Sequence, residues 1–94
     1  MSIEDYHGPH PKPLKEGHAR IDWLESVGRS ASTRVRAHTC DCRRTTYELC
    51  AAGGLGYIRR TERKATGDSI SESPWLRDTR AKRLWADLLE GNAR

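Results

Sequence analysis

The closest grouping of chemically capable residues in this chain is His38-Thr39-Cys40-Asp41-Cys42, followed by Cys50. One imidazole and three thiols make four soft or borderline ligands, the number a tetrahedral structural zinc requires. The spacing opposes that reading. Zinc knuckles separate their cysteines by two to four residues so that a turn can aim both thiolates at one point. One intervening residue in an extended strand holds the two side chains about 6–7 Å apart unless the backbone kinks at Asp41. The expectation is therefore three reduced cysteines packed as small hydrophobes, with no metal and no other cofactor. A metal, if bound, would be zinc on His38, Cys40, Cys42 and Cys50. An iron–sulfur cluster usually takes four cysteines, and only three are present. His38 and Cys40 share a strand face as a thiol and a base would. No carboxylate to orient the imidazole and no oxyanion donors accompany them, so the chain is read as non-enzymatic.

The second grouping is cationic: Arg34, Arg36, Arg43, Arg44, Arg59, Arg60, Arg63 and Lys64. Arginine forks suit phosphate and carboxylate, and a sheet backed by a helix can present them to nucleic acid. Arg34, Arg36, Arg59, Arg60, Arg63 and Lys64 are the candidate nucleic-acid contacts on a basic sheet face. Asp41, Glu48 and Glu62 oppose part of that charge. Gly53-Gly54-Leu55-Gly56 is no dinucleotide fingerprint, because a strand follows it and the pattern's third glycine is missing. Turn chemistry accounts for it.

These groups need elements to hold them. Thr33 to Thr39 alternates, with Val35 and Ala37 on one side and Arg34, Arg36 and His38 on the other. Thr45–Cys50 and Leu55–Thr61 read as two further strands, and the short connections predict an antiparallel meander. A three-residue loop ending at Gly54 places Tyr47, Leu49, Leu55 and Tyr57 on the buried face. An even-numbered loop would bury Ile58 and expose Tyr57. Residues 65–72 read as a polar loop. Ser73 suits an N-cap and Pro74 a first helical position, after which Leu76, Ala81, Leu84, Trp85, Leu88 and Leu89 form a helical stripe ending at Gly91. Asp78 and Lys82 can pair one turn apart. Residues 19–27 fit a short helix through Ile21, Leu24 and Val27, or a strand through Ile21, Trp23 and Val27; helix is preferred, with Gly28 as its stop. Gly28 to Ser32 reads as a loop.

The predicted fold is α+β: a disordered arm over residues 1–18 bearing most of the prolines and histidines, then one small domain over residues 19–94. In it a three-stranded meander over 33–62 packs under a C-terminal helix over 74–90, with Val35, Tyr47, Leu49, Tyr57, Leu84, Trp85 and Leu88 in the core. Ninety-four residues with 35% hydrophobic content and no phenylalanine leave no room for a large internal pocket, which argues against a small-molecule substrate. No stretch is apolar enough to span a membrane, and the polar, acidic start is unlike a secretory signal, so a cytoplasmic location is expected. With a net charge of +4, the partner expected is nucleic acid or an acidic protein surface. The function expected is that of a small regulatory protein of the DNA-binding or transcription type. The alternative is an accessory or adaptor protein that binds another protein through the arm and the exposed side of the helix.

Overall fold

A computed structural model describes residues 8–25, 33–40 and 42–94. The stop expected at Gly28, the loop to Ser32 and the kink at Asp41 lie outside the described residues. The elements are β1 (Leu24–Glu25), β2 (Arg34–His38), β3 (Thr45–Ala52), β4 (Leu55–Glu62), β5 (Ser69–Glu72), β6 (Leu76–Arg77) and α1 (Asp78–Glu90). The architecture is α+β, with one antiparallel sheet and a single C-terminal helix, but the sheet has six strands where three were expected. Its order is β1-β5-β4-β3-β2, and β6 pairs with β4 beyond the end of β5.

The extra strands come from segments whose local signals point elsewhere. β5 occupies the stretch read as a polar loop, because pairing Glu72 with Arg59 and Ser69 with Glu62 covers the open edge of β4. β1 in turn pairs with β5, Leu24 opposite Glu72, where a helix was preferred. β5 and β6 act as one strand interrupted at Ser73-Pro74-Trp75. Ser73 N–H donates to Ile58 O at 2.8 Å, but Pro74 has no N–H to continue the ladder. The Ser73 hydroxyl accepts from Ile58 N–H at 2.8 Å instead, and donates to Pro74 O at 3.1 Å. Ser73 is thus a sheet residue rather than a helix cap. The helix begins four residues later than predicted, after an Arg77 that makes no side-chain cap bond.

The β3–β4 turn has two residues, not three. Gly53 and Gly54 both stand at positive φ (56° and 81°), the glycine-demanding pattern of a type I′ hairpin. Ala52 consequently faces Leu55, and Leu49 faces Ile58. This register puts Ile58 in the core with Tyr47 and Leu49, and turns Tyr57 to the face away from the helix. Tyr57 is buried there nonetheless, because Trp75 stacks on it at 4.6 Å with an interplanar angle of 6°.

The core lies between α1 and one sheet face: Ile21, Tyr47, Leu49, Ile58, Ala81, Trp85, Leu88 and Ala93, with Trp23, Ala37, Leu76, Leu84 and Leu89 against it. Val35, expected inside, is 45% exposed. It pairs with Cys50 on the far face, and a register shift between Val35 and Ala37 separates it from the core-facing Ala37. The Asp78–Lys82 pair forms at 3.0 Å and Gly91 caps the helix.

Residues 8–18 contain no regular helix or strand, yet they are tied at several points. Pro9 O accepts from Cys40 N–H, Lys12 N–H donates to Leu89 O, and Lys15 N–H donates to Gly91 O. The stretch is a strap between the β2–β3 turn and the end of α1. Among the described residues no helix is long and apolar enough to cross a membrane.

Candidate functional site

The six cations expected to share one sheet face are distributed over four places. Arg59 and Arg60 are neighbours on β4 and so point to opposite faces. Arg59 lies on the face away from the helix, where its Nε donates to Glu48 at 2.8 Å. That hydrogen bond is the main reason its guanidinium is held above its ordinary range, despite burial. Arg60 lies on the helix face. Its guanidinium stacks 4.6 Å over Trp23, reaches Ser71 at 3.4 Å and Glu62 at 3.5 Å, and its Nε has no partner among the described residues. Both side chains are partly buried and engaged with neighbours on the sheet.

Arg34 and Arg36 are exposed at the β2 edge, beside the Gly53-Gly54 turn. With Ala51, Leu55 and Asp78 they line an open groove of about 460 Å³. Arg63 and Lys64 are exposed at the other end of the sheet, beyond Glu62. Thr45 pairs with Glu62 there, so the β2–β3 turn and the exit of β4 lie side by side. Arg63 N–H donates to Arg44 O at 2.9 Å. Two consecutive cationic pairs, Arg43-Arg44 and Arg63-Lys64, are thereby set next to each other, and all four side chains are exposed. Arg43 and Arg44 also line a cleft of about 340 Å³ with Pro11, Thr45, Tyr47 and Arg94. The sequence puts Arg43 and Arg44 in the connection between β2 and β3 but not beside Arg63 and Lys64, because that proximity depends on a register set by the glycine turn. Arg94, the last residue, carried no sequence signal.

The thiol cluster is also rearranged. His38, Cys40, Cys42 and Cys50 do not converge. His38 sits on β2 with Nδ1 3.0 Å from Thr39 O. Cys50 is wholly buried mid-strand on β3, opposite Val35 and Tyr57, and burial is the first cause that pushes its thiol above the ordinary range. Cys40 and Cys42 remain together with a different imidazole, that of His10. The Cys42 Sγ lies 3.2 Å from His10 Nε2, and the His10, Cys40 and Cys42 ligand atoms all lie within 4.8 Å of one another. β2 ends at His38 and β3 begins at Thr45, so the two cysteines occupy a turn and the extended-strand spacing does not apply. Thr39 anchors that turn: its N–H donates to Tyr47 O at 2.9 Å and its hydroxyl accepts from Tyr47 N–H at 3.0 Å. A hydrogen bond with Cys40 is the first cause that raises the Cys42 thiol above its ordinary range; desolvation and Cys40's charge add to it, and Arg43 opposes it. His10 was assigned to the arm on composition; only the strap's return to the β2–β3 turn makes it a neighbour of the thiols.

This end of the molecule can therefore do two things chemically: attract polyanions, and offer soft donors to a metal. Comparison of the chain with protein-family models, with curated proteins and with solved structures finds no match, so the functional reading rests on this geometry.

Proposed function

We propose that the chain is a small, non-enzymatic regulatory protein that binds nucleic acid through phosphate contacts. The contact region is the end of the sheet carrying Arg43, Arg44, Arg63 and Lys64, rather than a sheet face. The observation that carries this reading is the 2.9 Å bond from Arg63 N–H to Arg44 O, which fixes two cationic pairs side by side. Pairing in the backbone places the charges without using their guanidinium or ammonium donors. Those donors stay available for phosphate, where arginine forks give charge and geometry together.

The test is binding to mixed-sequence duplex and single-stranded nucleic acid over a series of salt concentrations. Each phosphate neutralised contributes a slope of about −0.9 in log K against log salt on duplex DNA. Arg43→Ala/Arg44→Ala should reduce the slope by about two units. Arg34→Ala/Arg36→Ala, at the far end of the sheet, should leave it unchanged. Equal losses from the two double variants would refute the sheet-end assignment, and no binding at low salt would refute the function.

The alternative, an accessory protein that binds another protein, has one specific observation in its favour. Leu24, Val35, Leu55 and Ile70 are all substantially exposed. Their pairings with Glu72, Cys50, Ala52 and Thr61 place all four on the sheet face away from α1. If nucleic acid fails to bind, this face becomes the surface to mutate, starting with Val35→Asp and Ile70→Asp.

A further inference from the structure

We propose that His10, Cys40 and Cys42 form a zinc site that staples the strap to the β2–β3 turn. In a tetrahedral zinc centre, Zn–S near 2.3 Å and Zn–N near 2.0–2.1 Å put neighbouring ligand atoms about 3.5–3.8 Å apart. The three donor atoms already stand within 4.8 Å of one another, with the Cys42–His10 pair at 3.2 Å. Rotamer adjustments of a few tenths of an ångström to one ångström close that set around an ion. Two thiolates with an imidazole select zinc over magnesium or calcium, which take oxygen ligands.

The convergence is built into the backbone. Gly8 passes so close to β2 that a Cβ there would lie 2.8 Å from His38 O and 3.0 Å from Cys40 N. Immediately after it, Pro9 O accepts the Cys40 N–H at 3.0 Å. The next residue is His10. A glycine-only approach and a backbone bond thus deliver the imidazole to the thiols from a segment some thirty positions away in sequence. Cys40 is buried, whereas Cys42 and His10 are exposed, so an ion would have a solvent path and one tetrahedral position left for water. Binding releases the thiol protons to solvent and changes no oxidation state. His38 and Cys50 take no part.

The test uses the whole 94-residue chain kept reduced, loaded with zinc, dialysed, and weighed by native mass spectrometry alongside metal analysis. The expected result is one zinc per chain. Cys42→Ser and His10→Ala alter exposed side chains, so circular dichroism should show them folded while they lose the ion, and His38→Ala should retain it. Cobalt(II) titration of the unmutated chain gives an independent readout: thiolate-to-cobalt charge transfer with intense visible bands of a tetrahedral site. Chelation should also speed hydrogen exchange at the Cys40 and Lys12 amides, which hold the strap. The proposal is overturned if the unmutated chain takes up no zinc and gives no such cobalt spectrum. Retention of a full equivalent by folded His10→Ala, or its loss from folded His38→Ala, overturns it equally.

Discussion

Gly56→Ala tests the packing that underlies the whole arrangement. Gly56 sits on β4 between Ala51 of β3 and Leu76 of β6, facing the helix. A Cβ built at this position would lie 2.6 Å from the Ala81 Cβ. Carbon atoms of this kind are comfortable at about 3.5–4.0 Å, so about 1 Å of displacement is needed. Neither partner can supply it by rotation: alanine has no further side-chain torsion, and Gly56 is held by strands on both sides. The helix must move, and Trp85 and Leu88, one and two turns further along it, must move with it. A contact this short falls in the upper part of the overpacking range, at about 2–3 kcal/mol, against which the strand gains about 1 kcal/mol from replacing glycine. The expected net loss is about 1–2 kcal/mol, or a fall in Tm of about 4–16 °C for a domain of this size. Ala81→Gly in the same background should recover part of it, although glycine inside a helix itself costs about 1 kcal/mol. The assay is a double-mutant cycle by thermal and urea unfolding, and the prediction is a coupling energy of about 1 kcal/mol or more in the rescuing direction. A neutral Gly56→Ala, or strictly additive effects, would show that helix and sheet do not meet as tightly as the geometry states.

Two further outcomes follow from the same packing. Ser73→Ala strands the buried Ile58 N–H at the point where Pro74 breaks the ladder, and should cost about 1–3 kcal/mol by urea unfolding; Ser73→Thr, which keeps the hydroxyl, should cost less. Burial raises Tyr47, Tyr57 and Cys50 above their ordinary values of 10.0, 10.0 and 9.0. Stability linked to a raised acid is fully present below the unfolded value and is lost as pH climbs through the folded one, so this contribution to Tm should be flat through neutrality and fall from about pH 9 upward. Tyr47→Phe should flatten part of that alkaline fall, and an unchanged pH profile in this variant would contradict the assignment.

The meander was legible because alternation in Thr33–Thr39 and β-prone runs on both sides of Gly53-Gly54 are local signals. The helical stripe through Ala81, Trp85 and Leu88 was equally local. The register was not, since it depends on whether the glycine turn has two or three residues, and both read alike in sequence. β5 and β6 escaped because their reason to exist is the exposed edge of β4, a tertiary demand that a polar Ser69–Glu72 segment does not advertise. Ser73 carried a correct signal, a side chain that satisfies an orphan backbone N–H, but the N–H was that of Ile58 in the sheet and not one in the helix. The grouping of His10 with Cys40 and Cys42 escaped for a related reason. Spacing rules for cysteines assume a known local conformation, and the Cys40–Cys42 pair lies in a turn. His10 comes from a proline-rich segment whose three histidines lack the fixed spacing of a metal motif, so that its composition favours a solvated tail.

The position of the cationic cleft follows from how the helix ends. α1 has no basic residue in its last turn, so its exposed carbonyls and the negative end of its dipole need partners from elsewhere. Arg94, beyond the helix, donates to Leu88 O at 3.0 Å, and Lys12 N–H takes Leu89 O at 2.8 Å. Arg94 also donates to Lys12 O, which binds the strap to the chain terminus. The guanidinium that completes the helix is therefore also a wall of the cleft shared with Arg43 and Arg44. The strap that supplies the second cap continues back through Pro11 to His10 and the two thiols. Charge, soft donors and helix terminus gather at one end because each supplies what another lacks: the helix needs cations, the strap needs anchors, and the β2–β3 turn needs a partner for its Cys40 N–H. A ligand that fixes any one of these contacts lowers the cost of ordering the rest, and His10 and Cys42 are joined directly to Pro11 and Arg43 in the wall of the arginine cleft.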